Sequence, residues 1–406
     1  MNRLVILPFL KIQVELSTQA LERLKALPHD CGLLIASNHP SFTDPFVIFE
    51  VTRRWGRACT WMAAREVFSK AGGWLGSLIR RTGAFSVLRG GNNQDAEQYA
   101  QRILREGRFP IVIFPEGHTF YLNDVILPLK PGIASWALEA LVADPSLPIR
   151  ILPMAIKYQY TEDIREPLDR ALSQLERIAV RRLPPVAAGE FWNLAYVRLH
   201  RIADAILSRQ EHHYHYRPPR QSDIDERVRG LCATILGRLE TRYLGQIQCG
   251  DFFDRSRHLM AMLKDDDSPQ HQKDALDARF AWALSTFYAG YLSPDSPPER
   301  FAETVMKLQR ELKHRVPISF RADRTAVVDV GRPLDVASYI TPHHLHDGAA
   351  RRLAADAILA DLGGALREMV QTLQQQPFRG SGVGDRWSGV RGPDIACEGD
   401  RHRSNA

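Results

Sequence analysis

The sequence predicts an α/β fold, a mixed sheet flanked by helices, interrupted by a large and mainly helical stretch. Over residues 1–160, short apolar runs at 32–36, 59–63, 84–88, 111–114 and 149–156 alternate with helical stretches near 45–54, 65–81, 93–107 and 131–143. From about Glu162 to Arg315 the chain turns charged and helical in period, as in 164–180, 193–209, 222–244, 270–288 and 298–314. Strand character then returns at Val316-Pro317-Ile318-Ser319-Phe320 and Thr325-Ala326-Val327-Val328-Asp329-Val330, closed by Gly331-Arg332-Pro333-Leu334.

Functional sites of such layers gather where strands run into short loops. His39, Arg89 and Glu116 all follow strand ends. The most informative loop is Ser37-Asn38-His39-Pro40-Ser41-Phe42-Thr43-Asp44-Pro45, which sets a histidine five positions before an aspartate. Pro40 and Pro45 push the residues before them out of helical geometry, and Pro45 suits a helix start. The expected order is a strand to about Ser37, a tight turn, and a helix through Phe46-Val47-Ile48-Phe49-Glu50-Val51. On a turn the two side chains can meet; in a continuous helix, five residues would separate them by about 140° at roughly 3.6 residues per turn. A neutral imidazole takes a proton from a hydroxyl only if its other nitrogen donates to a fixed partner, so His39 is a candidate base and Asp44 its orienting acid. A helix-capping aspartate beside an incidental histidine has the same spacing.

Three further segments, with this one, resemble the four motifs of the phospholipid and glycerol acyltransferase family, which includes the lysophosphatidate acyltransferases. Asn38-His39 with Asp44 is similar to the first motif, whose His and Asp form the catalytic pair. Gly83-Ala84-Phe85-Ser86-Val87-Leu88-Arg89 resembles the second, Phe114-Pro115-Glu116-Gly117 the third and Ile151-Leu152-Pro153-Met154 the fourth, in the family's order. The resemblance implies acceptor binding by Gly83, Phe85, Arg89, Glu116 and Gly117. One departure stands out: after the third motif the family continues with a small residue and Arg, whereas this chain has His118-Thr119-Phe120. Lys130, in Pro128-Leu129-Lys130-Pro131-Gly132, resembles the lysine that opens the following helix and is the candidate replacement cation. Residues 325–334 resemble the family's final strand and turn. The resemblance thus implies an acyltransferase-type domain over 1–160 plus 316–340, a helical insertion over 161–315, a C-terminal helical segment over 341–376, and a polar tail over 377–406 expected to be disordered.

The residue types suit ester formation from a thioester. His39 is suited to deprotonate an alcohol, Arg89 to grip phosphate in two places, and Lys130 to add a point charge near a helix start. Glu116 ends an apolar strand, where it either pins the loop or contacts an acceptor hydroxyl. Ser37 and Ser41 lie close to His39, but no Gly-x-Ser-x-Gly elbow is present, and none of the five cysteines falls in a catalytic signature. Direct attack by the acceptor hydroxyl is therefore expected, with acyl-CoA or acyl carrier protein as thioester co-substrate and no further cofactor. The expected acceptor is a lysophospholipid, lysophosphatidate first, with glycerol 3-phosphate or an amino-lipid as alternatives; a non-catalytic lipid-binding scaffold is the rival from another class.

Five scattered cysteines without a Cys-x-x-Cys pair point to a reducing cytoplasm. The apolar stretch from Leu4 to Leu10 is far short of the roughly 20 residues a spanning helix needs. A formal charge of +6, with clusters at Arg53-Arg54-Arg57, Arg80-Arg81 and Arg181-Arg182, suggests peripheral association with the inner face of a membrane and its anionic lipids. An apolar set at Val67-Phe68, Trp74-Leu75 and Leu78-Ile79 adds to that expectation. No nucleic-acid-binding signature accompanies the charge. His212-His213-Tyr214-His215 and His343-His344-Leu345-His346 lack metal-ligand spacing and are expected in loops, so no metal is assigned.

Overall fold

A strand buried on both faces reads as an unbroken apolar run, and two such runs form the centre of the sheet. β2 (Gly32–Ser37) is buried at every position, and β6 (Ile149–Tyr160) at all but two. The computed structural model describes residues 6–65, 83–87, 94–179, 190–263, 268–287, 289–311 and 322–375. The predicted strand at 316–320, the apolar set at 67–79, the Arg80-Arg81 and Arg181-Arg182 pairs, Arg89 and the tail lie outside them.

The remaining strands are β1 (Ile12–Leu16), β3 (Thr60–Ala64), β4 (Ala84–Val87), β5 (Ile111–Ile113), β7 (Arg324–Val330) and β8 (Leu334–Asp335). The sheet runs β1-β7-β6-β2-β5-β3-β4, with β8 also beside β6. It is mixed: β2 is parallel to both β5 and β6, whereas β7 and β8 are antiparallel to β6. The flanking helices of the first part are α1 (Leu7–Phe9), α2 (Thr18–Lys25), α3 (Asp44–Trp55), α4 (Gln94–Glu106) and α5 (Gly132–Ala143).

Alternate residues of each strand face opposite layers. Leu34, Ala36, Ile111 and Ile151 pack under Leu104 of α4, Trp136 and Leu141 of α5, and Ile358 and Leu362 of the last helix, Gly348–Gln375. Leu33, Ile35, Val112 and Leu152 pack over Leu24 of α2 and Val47, Ile48 and Val51 of α3. At about 1.5–3 kcal/mol for each buried aliphatic side chain, these two layers fix the position of every loop at the strand ends.

The chain leaves the sheet after Tyr160 and returns at Arg324. Between them lie α6 (Arg165–Ala179), α7 (Phe191–His213), α8 (Ile224–Leu244), α9 (Phe252–Met262), α10 (Pro269–Leu284) and α11 (Pro298–Glu311); the last helix is α12. α6, α7 and α11 share one core around Leu172, Ile202 and Phe301, and α8, α9 and α10 share another around Leu236, Leu259 and Ala281. A small apolar cluster joins these helices to the loop after β5: Phe120, Leu122 and Tyr291, with Phe253 and Trp282 against them.

Several expectations are corrected. β6 runs to Tyr160 rather than ending at 156, because β7 pairs with it through Tyr158 opposite Ala326 and Tyr160 opposite Arg324. Lys157 interrupts the apolar run but is itself buried against Asp124. β1 was not anticipated, although Ile12, Val14 and Leu16 alternate with polar Gln13 and Glu15, and neither was α9. His212 and His213 close the last turn of α7 rather than lying in a loop. In the Arg53, Arg54 and Arg57 cluster, Arg53 and Arg54 both bond the buried Glu50 while Arg53 stays exposed, and Arg57 donates to the carbonyls of Pro28, His29 and Gly107.

Candidate active site

β2 ends where Asn38 turns inward. Its side-chain amide donates to the Ile156 carbonyl at 2.9 Å and accepts from the Ile156 N–H at 2.7 Å, stitching the loop to β6. Beyond it, the turn Ser41-Phe42-Thr43 closes with the Asp44 N–H on the Ser41 carbonyl at 3.1 Å, and Asp44 opens α3 with Pro45 behind it.

This turn brings His39 and Asp44 together, with Nδ1 to Oδ2 at 2.7 Å. The same oxygen accepts the Ser41 N–H at 2.9 Å, and the other, Oδ1, accepts the Tyr158 hydroxyl at 2.6 Å. Asp44 is fully buried and its carboxylate faces these groups, whereas the helix N-cap is Thr43, which makes no side-chain capping bond. Since a carboxylate only accepts, Nδ1 carries a proton, and in a neutral imidazole Nε2 then has a lone pair. That lone pair meets the Thr119 hydroxyl at 2.8 Å. The imidazole stacks on Phe114 with centroids 4.1 Å apart and stays 14% exposed, so it is held without being sealed.

Tyr158 is tied in turn. Its oxygen lies 2.9 Å from Thr43 Oγ1, which is 2.8 Å from Ser41 Oγ and accepts from Arg324 at 3.0 Å. The Arg324 guanidinium lies 4.2 Å from the centre of the Tyr158 ring. Burial, and then the Asp44 charge, push the Tyr158 phenol well above its ordinary range, so it remains a donor.

Glu116 accepts the His39 backbone N–H on Oε1 at 2.9 Å and the Leu127 N–H on Oε2 at 3.1 Å. Both oxygens thus hold the loop, the first of the two roles expected of this carboxylate. Burial pushes it up to about 7 against these two donors, with Asp44 adding to the rise. Gly117 follows with φ of +77°, a conformation that suits glycine. Lys130 pairs with Asp254 of α9 and lies over the Phe253 ring, rather than standing open as a lone cation. Gly83 and Phe85 sit at and on β4, separated from β2 by β5 and β3. Phe85 is half-buried and packs against Tyr99 and Trp136, with centroids at 5.2 and 6.5 Å.

Sequence reasoning missed Tyr158, Thr119, Thr43 and Arg324. Thr119 stood in the segment noted for its departure, and Arg324 stood just before a predicted strand; no local signal marked Tyr158. Cys59 and Cys232 are unsuited to nucleophilic work, because burial pushes both thiols up to about 12. Among the described residues, no group of three His, Cys, Asp or Glu side chains is placed to hold a metal.

A partly exposed imidazole held by a buried carboxylate, with a hydroxyl on its other nitrogen, is an arrangement chemically able to take a proton from an alcohol. In the comparison with protein families, residues 19–157 match the family model described as Acyltransferase, that of the phospholipid and glycerol acyltransferases. Among curated proteins no match was found.

Proposed function

We propose that this protein transfers a fatty acyl group from acyl-CoA or acyl carrier protein to the free hydroxyl of a lysophospholipid, with lysophosphatidate the favoured acceptor. The carrying observation is the line from Asp44 through His39 to the Thr119 hydroxyl, at 2.7 and 2.8 Å. In this reading the acceptor hydroxyl takes the place of Thr119 on Nε2. His39 accepts its proton as the oxygen attacks the thioester carbonyl, and Asp44 stabilises the imidazolium. Collapse of the tetrahedral adduct breaks the C–S bond, and the departing thiolate takes the proton back from His39. Such a base contributes about 10²–10⁴ in rate.

Membrane association is part of the proposal. No helix among the described residues is long and apolar enough to cross a bilayer, and Phe42, in the catalytic turn, exposes its ring. Purified protein mixed with radiolabelled acyl-CoA and a panel of lysophosphatidate, glycerol 3-phosphate, other lysolipids and an amino-lipid tests the reading. Labelled phosphatidate is the expected product, and absence of transfer to every acceptor refutes it.

One observation favours a second reading. Thr119, His39 and Asp44 have the connectivity of a nucleophile, base and orienting acid, so Thr119 Oγ1 could itself take the acyl group. An acyl-protein adduct detected by intact-mass measurement would establish that route.

A further inference from the structure

Gly117 separates the catalytic loop from the helical segment, and two cations approach it from different parts of the chain. A Cβ placed on Gly117 would lie 3.5 Å from Lys130 Cγ and 3.6 Å from Arg257 Nη1. Both head groups lie over one ring: Lys130 Nζ is 4.7 Å and the Arg257 guanidinium 5.6 Å from the centre of Phe253. Arg257 and Phe253 belong to α9, which lies beyond the matched residues 19–157. Lys130 is paired with Asp254, one turn before Arg257, whereas the ion pairs among the described residues leave Arg257 without a carboxylate. His118, next to Gly117, packs edge-on against Trp282 of α10, so the helical segment is fixed against this loop.

We propose that Arg257 and Lys130 together form the subsite for the phosphomonoester of the acceptor, with Asp254 occupying Lys130 until that anion arrives. The planar guanidinium supplies a two-pronged grip and the ammonium a point charge. The Asp254 side chain is 57% exposed, and an ion pair so open to water is weak enough for a phosphate dianion to replace. Gly117 lies two residues before Thr119, whose hydroxyl meets Nε2 of His39 at 2.8 Å, so a headgroup held here is bound on the same loop that reaches the reacting nitrogen. The helical segment thereby completes the acceptor site from outside the matched domain.

The inference rests on the acyl-transfer reading for its ligand, but binding tests it without turnover. In a His39→Ala background, titration calorimetry with glycerol 3-phosphate and with micellar lysophosphatidate should show Arg257→Ala weakening Kd roughly tenfold, the size of one charge-assisted hydrogen bond. Asp254→Asn should tighten it about twofold to fivefold by releasing Lys130. These opposite signs cannot both arise from general damage to α9. Dependence seen with lysophosphatidate alone assigns the subsite to the lipid headgroup, and dependence with both assigns it to the free ester as well. Equal affinities in parent and variants, or no binding of either probe, overturn the proposal. Failure of acyl transfer with binding intact would count against the proposed function alone.

Discussion

Tyr158 donates its hydroxyl to Asp44 Oδ1 at 2.6 Å, on the carboxylate oxygen that His39 does not use. The acid is thereby held from two sides, by a residue 114 positions away in sequence. Tyr158→Phe removes this donor and leaves a buried oxygen short of a partner, a loss of about 1–3 kcal/mol. The expected result is a kcat lower by roughly tenfold to a hundredfold with the donor KM little changed. Unchanged kcat would show that the Ser41 N–H and Nδ1 hold Asp44 unaided.

His39→Ala removes the proposed base. Transfer should fall by at least about 10² while thermal unfolding stays close to that of the parent, because the ring retains solvent contact. Asp44→Asn should be nearly as damaging, since an amide in place of the carboxylate can impose the wrong tautomer on the imidazole. Steady-state turnover alongside melting curves checks both.

Thr119→Val separates the two routes of acyl transfer. If the acceptor attacks directly, the loss should stay under roughly tenfold, because the valine only vacates Nε2. Loss of nucleophile function would be on the order of 10⁴ or more and would abolish any acyl-protein adduct. Quenched-reaction mass spectrometry distinguishes these outcomes.

Stability should depend on pH through buried carboxylates. Burial, with the Asp124 charge beside it, pushes Glu303 up to about 8 from its ordinary 4.5. The folded chain then retains a proton that the unfolded chain releases, so this contribution is fully present below about 4.5 and lost as pH rises through about 8. Glu116, up to about 7, has the same sign. Urea midpoints should therefore fall between about pH 4.5 and about pH 8, and Glu303→Gln should flatten that fall. An identical slope in both proteins would contradict this account.

Gly32 has a packing reason to be glycine. A Cβ there would lie 2.6 Å from Ile149 Cδ1 and 2.7 Å from the Leu104 carbonyl oxygen, and a backbone oxygen cannot swing aside. Gly32→Ala should cost about 1–3 kcal/mol, read as a lower melting temperature with the spectrum of the folded state retained.

The α/β alternation was legible because a central strand requires an unbroken apolar run, and those at 32–36 and 111–114 are such runs. The His39 and Asp44 pair was legible because prolines at 40 and 45 restrict the backbone between them to a turn. β1 escaped notice despite its alternation because only five residues carry it. Phe85 and Glu116 illustrate a different limit. Their residue types fit several roles, and the contacts that each makes, with Tyr99 for Phe85 and with the Leu127 N–H for Glu116, are set by distant parts of the chain.

By itself the sequence determined the layered fold, the helical stretch between strands and the pairing of His39 with Asp44, since each rests on local periodicity or on backbone constraints spanning a few residues. Only the tertiary structure decided that Tyr158 and Arg324 support Asp44, that Thr119 meets His39, and that Asp254 and Arg257 flank Lys130 and Gly117. Those groups lie on β6, on β7, in the loop after β5 and on α9, and they become neighbours only when burial of the apolar faces stacks the strands and docks the helices onto that loop.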